Sequence, residues 1–295
     1  MKLSFSTSWL DGDISRLEAI IPYIDALEIG TKGDEEFFIS IEEIIQKSGT
    51  PVTSIHASSG PHKSGKEPYY TPHFASFDNG LRQYDIEQAA FSAEWAQKLG
   101  TRAIVLHIGS IEDQALKNNV LMYKERVLHE EWNEELEEMK GDIARKRKIM
   151  SRDFLENAII GLEELCKNFP NIIFCIETRV HFYEIPLPEE ALYIFKRLPL
   201  PNLGYWHDIG HTYILAQLGF IPMNVWQSQL DDKCMGTHIH DVDHDLTDHL
   251  PPGYGILNFH HILEQFDMLN LHTLEINPRH TLDSVIKGIQ HLRKM

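Results

Sequence analysis

Ionisable side chains recur directly behind short apolar runs along this chain. The segments TSIHAS, IVLHIG, FCIET, GYWHD, GTHIHD and TLEIN each place His, Asp or Glu after residues that should be buried. The side chains concerned are those of Glu28, His56, His107, Glu177, Asp208, His238, His240, Asp241 and Glu275. Burying so many charges is costly unless they pair or bind a metal ion. Imidazole and carboxylate ligands without thiolate suit zinc, manganese, iron or cobalt better than calcium, so the pattern predicts a divalent metal centre.

Two further stretches add residues of the same types at short spacing. His211 follows Asp208 by three residues in WHDIGHT, at the start of a predicted helix, and can turn back toward the same pocket. The stretch HIHDVDHDLTDHLPPGYG, residues 238–255, is dense in His and Asp and closes with a Pro-Pro-Gly turn. A hydrophilic loop with chance histidines is the alternative. The density of ligand types directly after a buried strand favours a metal site.

The elements that must position these residues alternate between strand and helix. The predicted strands are Leu3–Ser8, Ala26–Thr31, Val52–Ser58, Ala103–Gly109, Ile172–Thr178, Leu203–Gly210, Met235–Asp241 and His272–Asn277. The predicted helices are Ile14–Tyr23, Glu35–Lys47, Gly80–Leu99, a long one ending near Phe169, Glu189–Arg197, Thr212–Leu218, Phe259–Phe266 and Leu282–Arg293. Strands separated by helices pair in parallel, and eight such units predict one (β/α)8 barrel domain over residues 1–295. In such a barrel, all the polar strand ends meet at one face. A doubly wound sheet is the alternative, but no Gly-rich phosphate loop follows the first strand.

Two segments could cover that face. A charged helical insertion of about residues 111–151 follows the fourth strand and predicts a long solvated helix, a substrate lid or an oligomer contact. The segment Ser58–Asn79, rich in Gly, Pro, His and Tyr, is a second candidate for capping the site. The sequence leaves a homo-oligomer open.

The composition narrows the classes of partner. The 295-residue chain carries 44 Asp and Glu against 27 Lys and Arg, for a formal net charge of −17, which disfavours nucleic acid. The basic cluster RKRKIMSR, residues 145–152, balances the acidic helix that contains it. Three cysteines, Cys166, Cys175 and Cys234, form no CxxC pair and suggest no disulfide framework. No segment reads as a signal peptide or a membrane span, so a cytoplasmic protein without a membrane partner is expected.

The motifs resemble those of a known group, the xylose isomerase-like barrels. HIHDVDHDLTDHLPPGYG is similar to that group's HxHDN…DxHLPPGEG segment, and WHDIGHT is similar to its DxGH segment. The group includes sugar phosphate isomerases and epimerases and the endonuclease IV enzymes (AP endonuclease family 2). The resemblance covers nearly the whole chain apart from the charged insertion.

The resemblance implies a set of metal ligands. Glu177, Asp208, His238 and Glu275 match the ligands of the metal ion that these enzymes share. His56 and His107 match the histidines that hold a second ion together with the shared glutamate, and His211 and His249 match two ligands of a third. The remaining third-site ligand falls on Thr247, and Tyr254 replaces the Glu of PGEG, so one or two ions are expected.

The resemblance also implies a reaction. A sugar or sugar-phosphate isomerase or epimerase transfers a proton through a metal-stabilised enediolate, with Glu177, Glu275, His211 and His107 as catalytic residues. The substrate, a sugar, polyol or sugar phosphate, would contact Arg179, Trp206, His240 and Arg279. Each arginine could instead form a strand-end ion pair, and Trp206 could instead pack beneath the metal ion.

Two other functions stay open. An endonuclease IV-like two-metal hydrolase or phosphodiesterase is favoured by the histidines. It is opposed by the incomplete third site, the net charge and the lack of a basic, aromatic-interleaved loop. A non-catalytic sugar- or metal-binding barrel is the third option.

Overall fold

Eight parallel strands pair in chain order and close on themselves, with β8 hydrogen-bonded to β1. This computed structural model describes residues 2–31, 34–57, 72–266, 269 and 271–295. The strands are β1 (Ser4–Ser6), β2 (Ala26–Ile29), β3 (Val52–His56), β4 (Ala103–Leu106), β5 (Ile173–Glu177), β6 (Leu203–Asp208), β7 (Cys234–Ile239) and β8 (His272–Leu274). Each lies inside its predicted run or begins one residue before it, although the predicted runs end up to three residues later than the strands, and the (β/α)8 barrel is confirmed.

Helices connect successive strands and surround the barrel. They are α1 (Ser15–Ile20), α2 (Glu35–Ser48), α3 (Asn79–Leu99), α4 (Gln114–His129), α5 (Glu134–Asn168), α6 (Pro188–Arg197), α7 (Ile209–Gln217), α8 (Val225–Leu230), α9 (Phe259–Leu263) and α10 (Leu282–Arg293). Helix α8 was not predicted, and it buries Trp226 against the ring of Tyr205 with 5.3 Å between centroids. None of the described helices is both long and apolar enough to cross a lipid bilayer.

Alternation along the strands places the polar residues inside the barrel. Side chains two residues apart on a strand share a face. Cys175 and Trp206 therefore lie on the same faces as Glu177 and Asp208, one layer nearer the strands' N-terminal ends. These two apolar side chains pack against Val105 in a small cluster separate from the main core. The barrel interior is thus apolar toward the N-terminal ends of the strands and ionisable at their C-terminal ends.

The insertion after β4 differs from the single long helix that was predicted. It is a pair of helices, α4 and α5, joined by residues 130–133. The Asn133 side chain accepts the Leu136 N–H at 3.0 Å and caps α5, whose first turn is acidic. Such an Asn followed by glutamates is a helix-start signal within the pattern that seemed continuous.

The insertion also contacts the loop after β7 and the end of α7. Lys124 Nζ donates to the Leu246 carbonyl in the loop after β7 at 3.0 Å, and Tyr123 Oη donates to the Leu218 carbonyl at 3.0 Å. Leu116, Val120 and Tyr123 are buried. The insertion is therefore packed on the barrel and only partly solvated. Most of the other predicted cap, residues 58–71 of Ser58–Asn79, lies outside the described residues.

Candidate active site

Three carboxylates surround one nitrogen of His238. Glu177 Oε1 lies 2.6 Å from His238 Nδ1, Glu275 Oε2 lies 3.2 Å away, and Asp208 Oδ2 lies 3.8 Å away. The four side chains come from the ends of β5, β6 and β7 and from the residue after β8. The structure thus brings together the four residues that the resemblance assigned to the shared metal ion.

The opposite nitrogen of His238 faces Glu28. His238 Nε2 lies 3.1 Å from Glu28 Oε1, and Glu28 also accepts a 2.8 Å hydrogen bond from the Ser54 hydroxyl. A carboxylate on the far nitrogen of a ligating histidine fixes the ring orientation and raises its basicity. Burial alone would lower the pKa of His238, but Glu28, Glu275 and Glu177 raise that pKa well above its usual value. Glu28 therefore orients His238 from behind.

Asp208 is held from two sides. It caps α7, accepting the His211 N–H at 2.7 Å, and His240 Nε2 lies 2.9 Å from its Oδ1. His240 Nδ1 accepts the backbone N–H of His249 at 2.9 Å. A neutral imidazole has one N–H and one lone pair, so the His240 proton must be on Nε2 and is donated to Asp208.

His240 consequently differs from its expected role in substrate binding. The residue is fully buried and both ring nitrogens are engaged within the protein. The site also needs Gly210 beside it, because a Cβ there would lie 2.0 Å from the His240 ring. The structure places His240 behind Asp208, where it orients the carboxylate.

His56 and His107 approach the second oxygen of Glu177. Glu177 Oε2 lies 2.5 Å from His107 Nε2 and 3.6 Å from His56 Nε2. Burial, followed by the Arg179 charge, lowers the pKa of His107 to about 4, so this imidazole is neutral. Burial alone would raise the pKa of Glu177, but His107 and Arg179 hold that pKa well below its usual range.

Arg179 forms the strand-end ion pair that was one of its two predicted roles. Its Nη1 donates to Glu177 Oε2 and lies 2.6 Å from His107 Nε2. Its Nε and Nη2 donate to Glu184 Oε1 at 3.1 and 3.0 Å. Its side chain remains 12% exposed and borders the cavity described below, so a substrate contact stays a prediction.

His211 and His249 lie near each other, with His211 buried and His249 at the cavity wall. His211 Nδ1 lies 3.0 Å from the Thr178 carbonyl, which can only accept, so Nδ1 donates and Nε2 keeps the lone pair. The two rings are 5.4 Å apart, and His249 Nδ1 lies 3.2 Å from Asp248. Asp248 therefore pairs with His249, beside the Thr247 that replaces the family's third-site ligand.

The ionisable residues border an open cavity of about 710 Å³. Its lining includes His107, Arg179, His249, Glu275 and Arg279. Arg279 is exposed, and no carboxylate pairs with it among the residues that the structure describes. Of the four ligands assigned to the shared metal ion, Glu275 borders the cavity, with its side chain 11% exposed, whereas Glu177 is fully buried.

Trp206 does not reach this cavity. It is fully buried one layer below Asp208, with its ring centroid 5.6 Å from that of His238. Gly236 on the neighbouring strand makes room for it, since a Cβ there would lie 2.4 Å from the indole ring. The structure has the arrangement in which Trp206 packs beneath the site, and its indole does not border the cavity.

The donor set fits a divalent metal ion. Potential ligand atoms of His56, Glu177, His238 and Glu275 all lie within 4.8 Å of one another, and a second group combines Asp208, His211, His240 and His249. Neither ring nitrogen of buried His56 has a hydrogen-bond partner among the described residues. Because buried polar atoms are normally paired, a free nitrogen here is consistent with a role in binding a metal ion. In the second group, His240 Nε2 carries a proton, which leaves that nitrogen no lone pair for a cation.

The family model of the xylose isomerase-like TIM barrel matches residues 25–295. This chain belongs to that family. The resemblance of its motifs is thereby confirmed. No curated protein matches the sequence.

Solved structures share the fold of this xylose isomerase-like barrel over its full length. A D-tagatose 3-epimerase-like protein is 21% identical with a TM-score of 0.69, covering 100% of this chain and 96% of its own. A 3-keto-D-glucoside 4-epimerase from E. coli, in its apo form, is 15% identical with a TM-score of 0.66, covering 100% of both. An IolI protein with a bound zinc atom is 17% identical with a TM-score of 0.62, covering 100% and 96%. Such identities establish the fold, and the reaction must be argued from the site.

One residue of this xylose isomerase-like site was missed by the sequence analysis. Glu184 is buried in the loop after β5 and pairs with Arg179. Its backbone carbonyl also accepts a 2.7 Å hydrogen bond from Arg147 of α5. The nearest sequence signal is the opposite charge five residues after Arg179 in RVHFYE, which is weak because Glu184 follows no strand.

Proposed function

We propose that this chain is a metal-dependent isomerase or epimerase acting on a sugar or sugar phosphate. The observation that carries the proposal is the convergence of three carboxylates on His238 Nδ1 beside an open cavity. The names of the E. coli epimerase and the tagatose epimerase-like structure support a sugar as substrate. The cavity, about 710 Å³, lies within the size range of small-molecule sites.

Glu177, Asp208, His238 and Glu275 would hold the ion, with His56 as a further candidate ligand. A divalent cation there supplies positive charge that stabilises negative charge developing on the substrate's oxygens. Zinc, manganese, iron and cobalt all suit imidazole and carboxylate ligands, and the IolI structure contains zinc.

Glu177 and Glu275 are the candidate proton carriers. They come from β5 and from the end of β8, three strands apart around the barrel, so they can approach a substrate from different sides. Burial favours their neutral forms, but the histidines around them lower both pKa values well below the usual range. Both carboxylates are therefore ionised near neutral pH, as a base that removes a proton beside a carbonyl must be.

His211 and His107 are the candidate hydrogen-bonding groups for substrate oxygens. His211 presents its Nε2 lone pair, because Nδ1 is used by the Thr178 carbonyl. His107 is 20% exposed at the cavity wall. Arg279 can donate to a hydroxyl, carboxylate or phosphate at the outer end of the same cavity.

A two-metal hydrolase is the second candidate, and one observation favours it. His56 and His107 approach the same oxygen of Glu177, which could bridge two ions. Two ions about 3.5–4 Å apart are typical of phosphodiesterases.

Proton exchange with solvent tests the proposal. The metal-loaded protein should incorporate deuterium from D2O beside the carbonyl of one member of a panel of ketoses, aldoses and their phosphates, followed by NMR. Glu275→Gln should abolish this exchange while leaving metal content measurable, because it removes the base that faces the cavity. The exposed Glu36→Gln is the matched control.

Two results would count against an isomerase. Hydrolysis of bis(4-nitrophenyl) phosphate without any proton exchange would favour the two-metal candidate. Metal binding with neither reaction, across the panel, would favour a non-catalytic binding barrel.

A further inference from the structure

We infer that the guanidinium of Arg179 occupies the position of a second cation beside Glu177, so that the wild-type chain holds a single divalent ion. The inference rests on the proposed function, because it takes Glu177, Asp208, His238 and Glu275 as the ligands of that ion.

One cationic side chain contacts both atoms that a second ion would need. Glu177 Oε2 and His107 Nε2 are 2.5 Å apart, and Arg179 Nη1 is within hydrogen-bond distance of both. Arginine cannot lose its proton in a protein and has no acceptor atom. Its positive charge therefore stays beside both atoms.

Arg179 places its charge where a second ion would have to bind. A divalent ion held by Glu177 Oε2 and His107 Nε2 would lie against this guanidinium, and two like charges in contact repel each other strongly. The same arginine neutralises the charge of Glu177 Oε2. One guanidinium thus meets both the hydrogen-bonding and the charge requirement that a second divalent ion would meet.

Arg179 is also held in place from behind. Glu184 accepts from its Nε and Nη2, and Glu184 itself accepts the His181 N–H at 2.9 Å. The Glu184 side chain is 8% exposed. Moving Arg179 away would leave Glu184 as an uncompensated buried charge, which is strongly destabilising. The arginine therefore has an anchor that does not depend on Glu177.

The stoichiometry of Mn2+ binding to the full chain tests the inference. Apo-protein would be titrated by calorimetry, and bound metal would be counted after equilibrium dialysis. Arg179→Met combined with Glu184→Gln removes both charges of the anchored pair, so that neither is left buried alone. We expect one Mn2+ per wild-type chain and two per double variant.

Two further variants test where the second Mn2+ of the double variant binds. Adding His107→Gln to the double variant should return the stoichiometry to one, because the second ion would lose a ligand. Arg279→Met is the matched control, since this cavity arginine has no contact with Glu177 or His107, and it should stay at one. Circular dichroism and thermal melting verify that each variant is folded.

The outcomes separate the inference from the proposed function. Two ions on the wild-type chain would overturn the inference and leave the primary metal centre intact. A folded double variant that still binds one ion would also overturn it. A wild-type chain that binds no Mn2+, Zn2+ or Co2+ would overturn both.

Discussion

Residues behind the candidate ligands determine how those ligands are presented. Glu28 lies 3.1 Å from the far nitrogen of His238, and His240 donates to Asp208 from the side away from the cavity. Each of these buried partners fixes one ring or carboxylate orientation. Partners of this kind pre-organise a site because the ligands need not reorient when a cation binds.

Glu28→Gln should weaken metal binding while preserving the fold. The amide keeps the size of the side chain and can still accept from His238 Nε2, but it removes the negative charge behind the ligand. Loss of such a partner typically reduces metal affinity about 10- to 100-fold. Competition with a chromogenic chelator would measure the dissociation constant of Zn2+.

Glu36→Gln, on the exposed side of α2, is the control for Glu28→Gln and should leave the dissociation constant unchanged. Equal zinc affinity for Glu28→Gln and wild type would show that Glu28 has no influence on the ligand.

Helix α5 connects the insertion to the loop that carries Glu184. Arg147, in the middle of this helix, is 2% exposed and donates to the carbonyls of Phe182 and Glu184 and to the carboxylate of Glu190. The buried pair therefore ties α5, the loop after β5 and α6 together. The same loop positions the partner of Arg179, so the insertion supports the site from outside the barrel.

Arg147→Met should lower the free energy of unfolding by about 3–5 kcal/mol, because it leaves Glu190 as a buried charge without a partner. Urea denaturation followed by circular dichroism would measure the change. Arg147→Met with Glu190→Gln should recover part of the loss, since the remaining side chain is neutral.

Arg145→Met is the control at an exposed arginine of the same helix. It should change the free energy of unfolding by no more than about 0.5 kcal/mol. If Arg147→Met were equally mild, the buried pair would contribute little to stability.

At the scale of the whole molecule, the barrel brings several buried carboxylates to one face, and their negative charges must be offset by nearby positive charge. Glu28, Glu177, Asp208 and Glu275 are all buried at the same face, in a protein with a formal net charge of −17. Histidines and Arg179 offset these carboxylates in the structure, and a divalent ion would offset them further. Binding of an ion to the folded state alone must then stabilise the whole domain.

Removal of metal should therefore lower the melting temperature of the domain. At an ion concentration 100 times Kd, the stabilisation is about 2.7 kcal/mol. For a chain of this size, that corresponds to a shift of several degrees. Calorimetry of EDTA-treated protein with and without added Zn2+, Mn2+ or Co2+ would measure it.

His238→Gln is the matched variant for this experiment, because it removes the nitrogen on which the three carboxylates converge. In this variant, added metal should no longer raise the melting temperature. An identical shift in His238→Gln and wild type would place the stabilising ion elsewhere.

The sequence by itself determined the order of the elements and the ends at which the ionisable residues lie. Both follow from local properties, namely the spacing of apolar residues along the chain and the rule that parallel strands end at one face. Glu177, Asp208, His238 and Glu275 could thus be predicted to meet before any contact was known.

Only the tertiary structure decided which partner each polar atom takes. His238 and Glu28 are 210 residues apart in sequence, and the Arg179–Glu184 pair depends on how one loop folds. His240 and Trp206 were expected to contact substrate, but closure of the barrel buries both, beside Gly210 and Gly236. Hydrogen-bond partners depend on ring orientation and on neighbours from distant strands, and neither is encoded in local spacing.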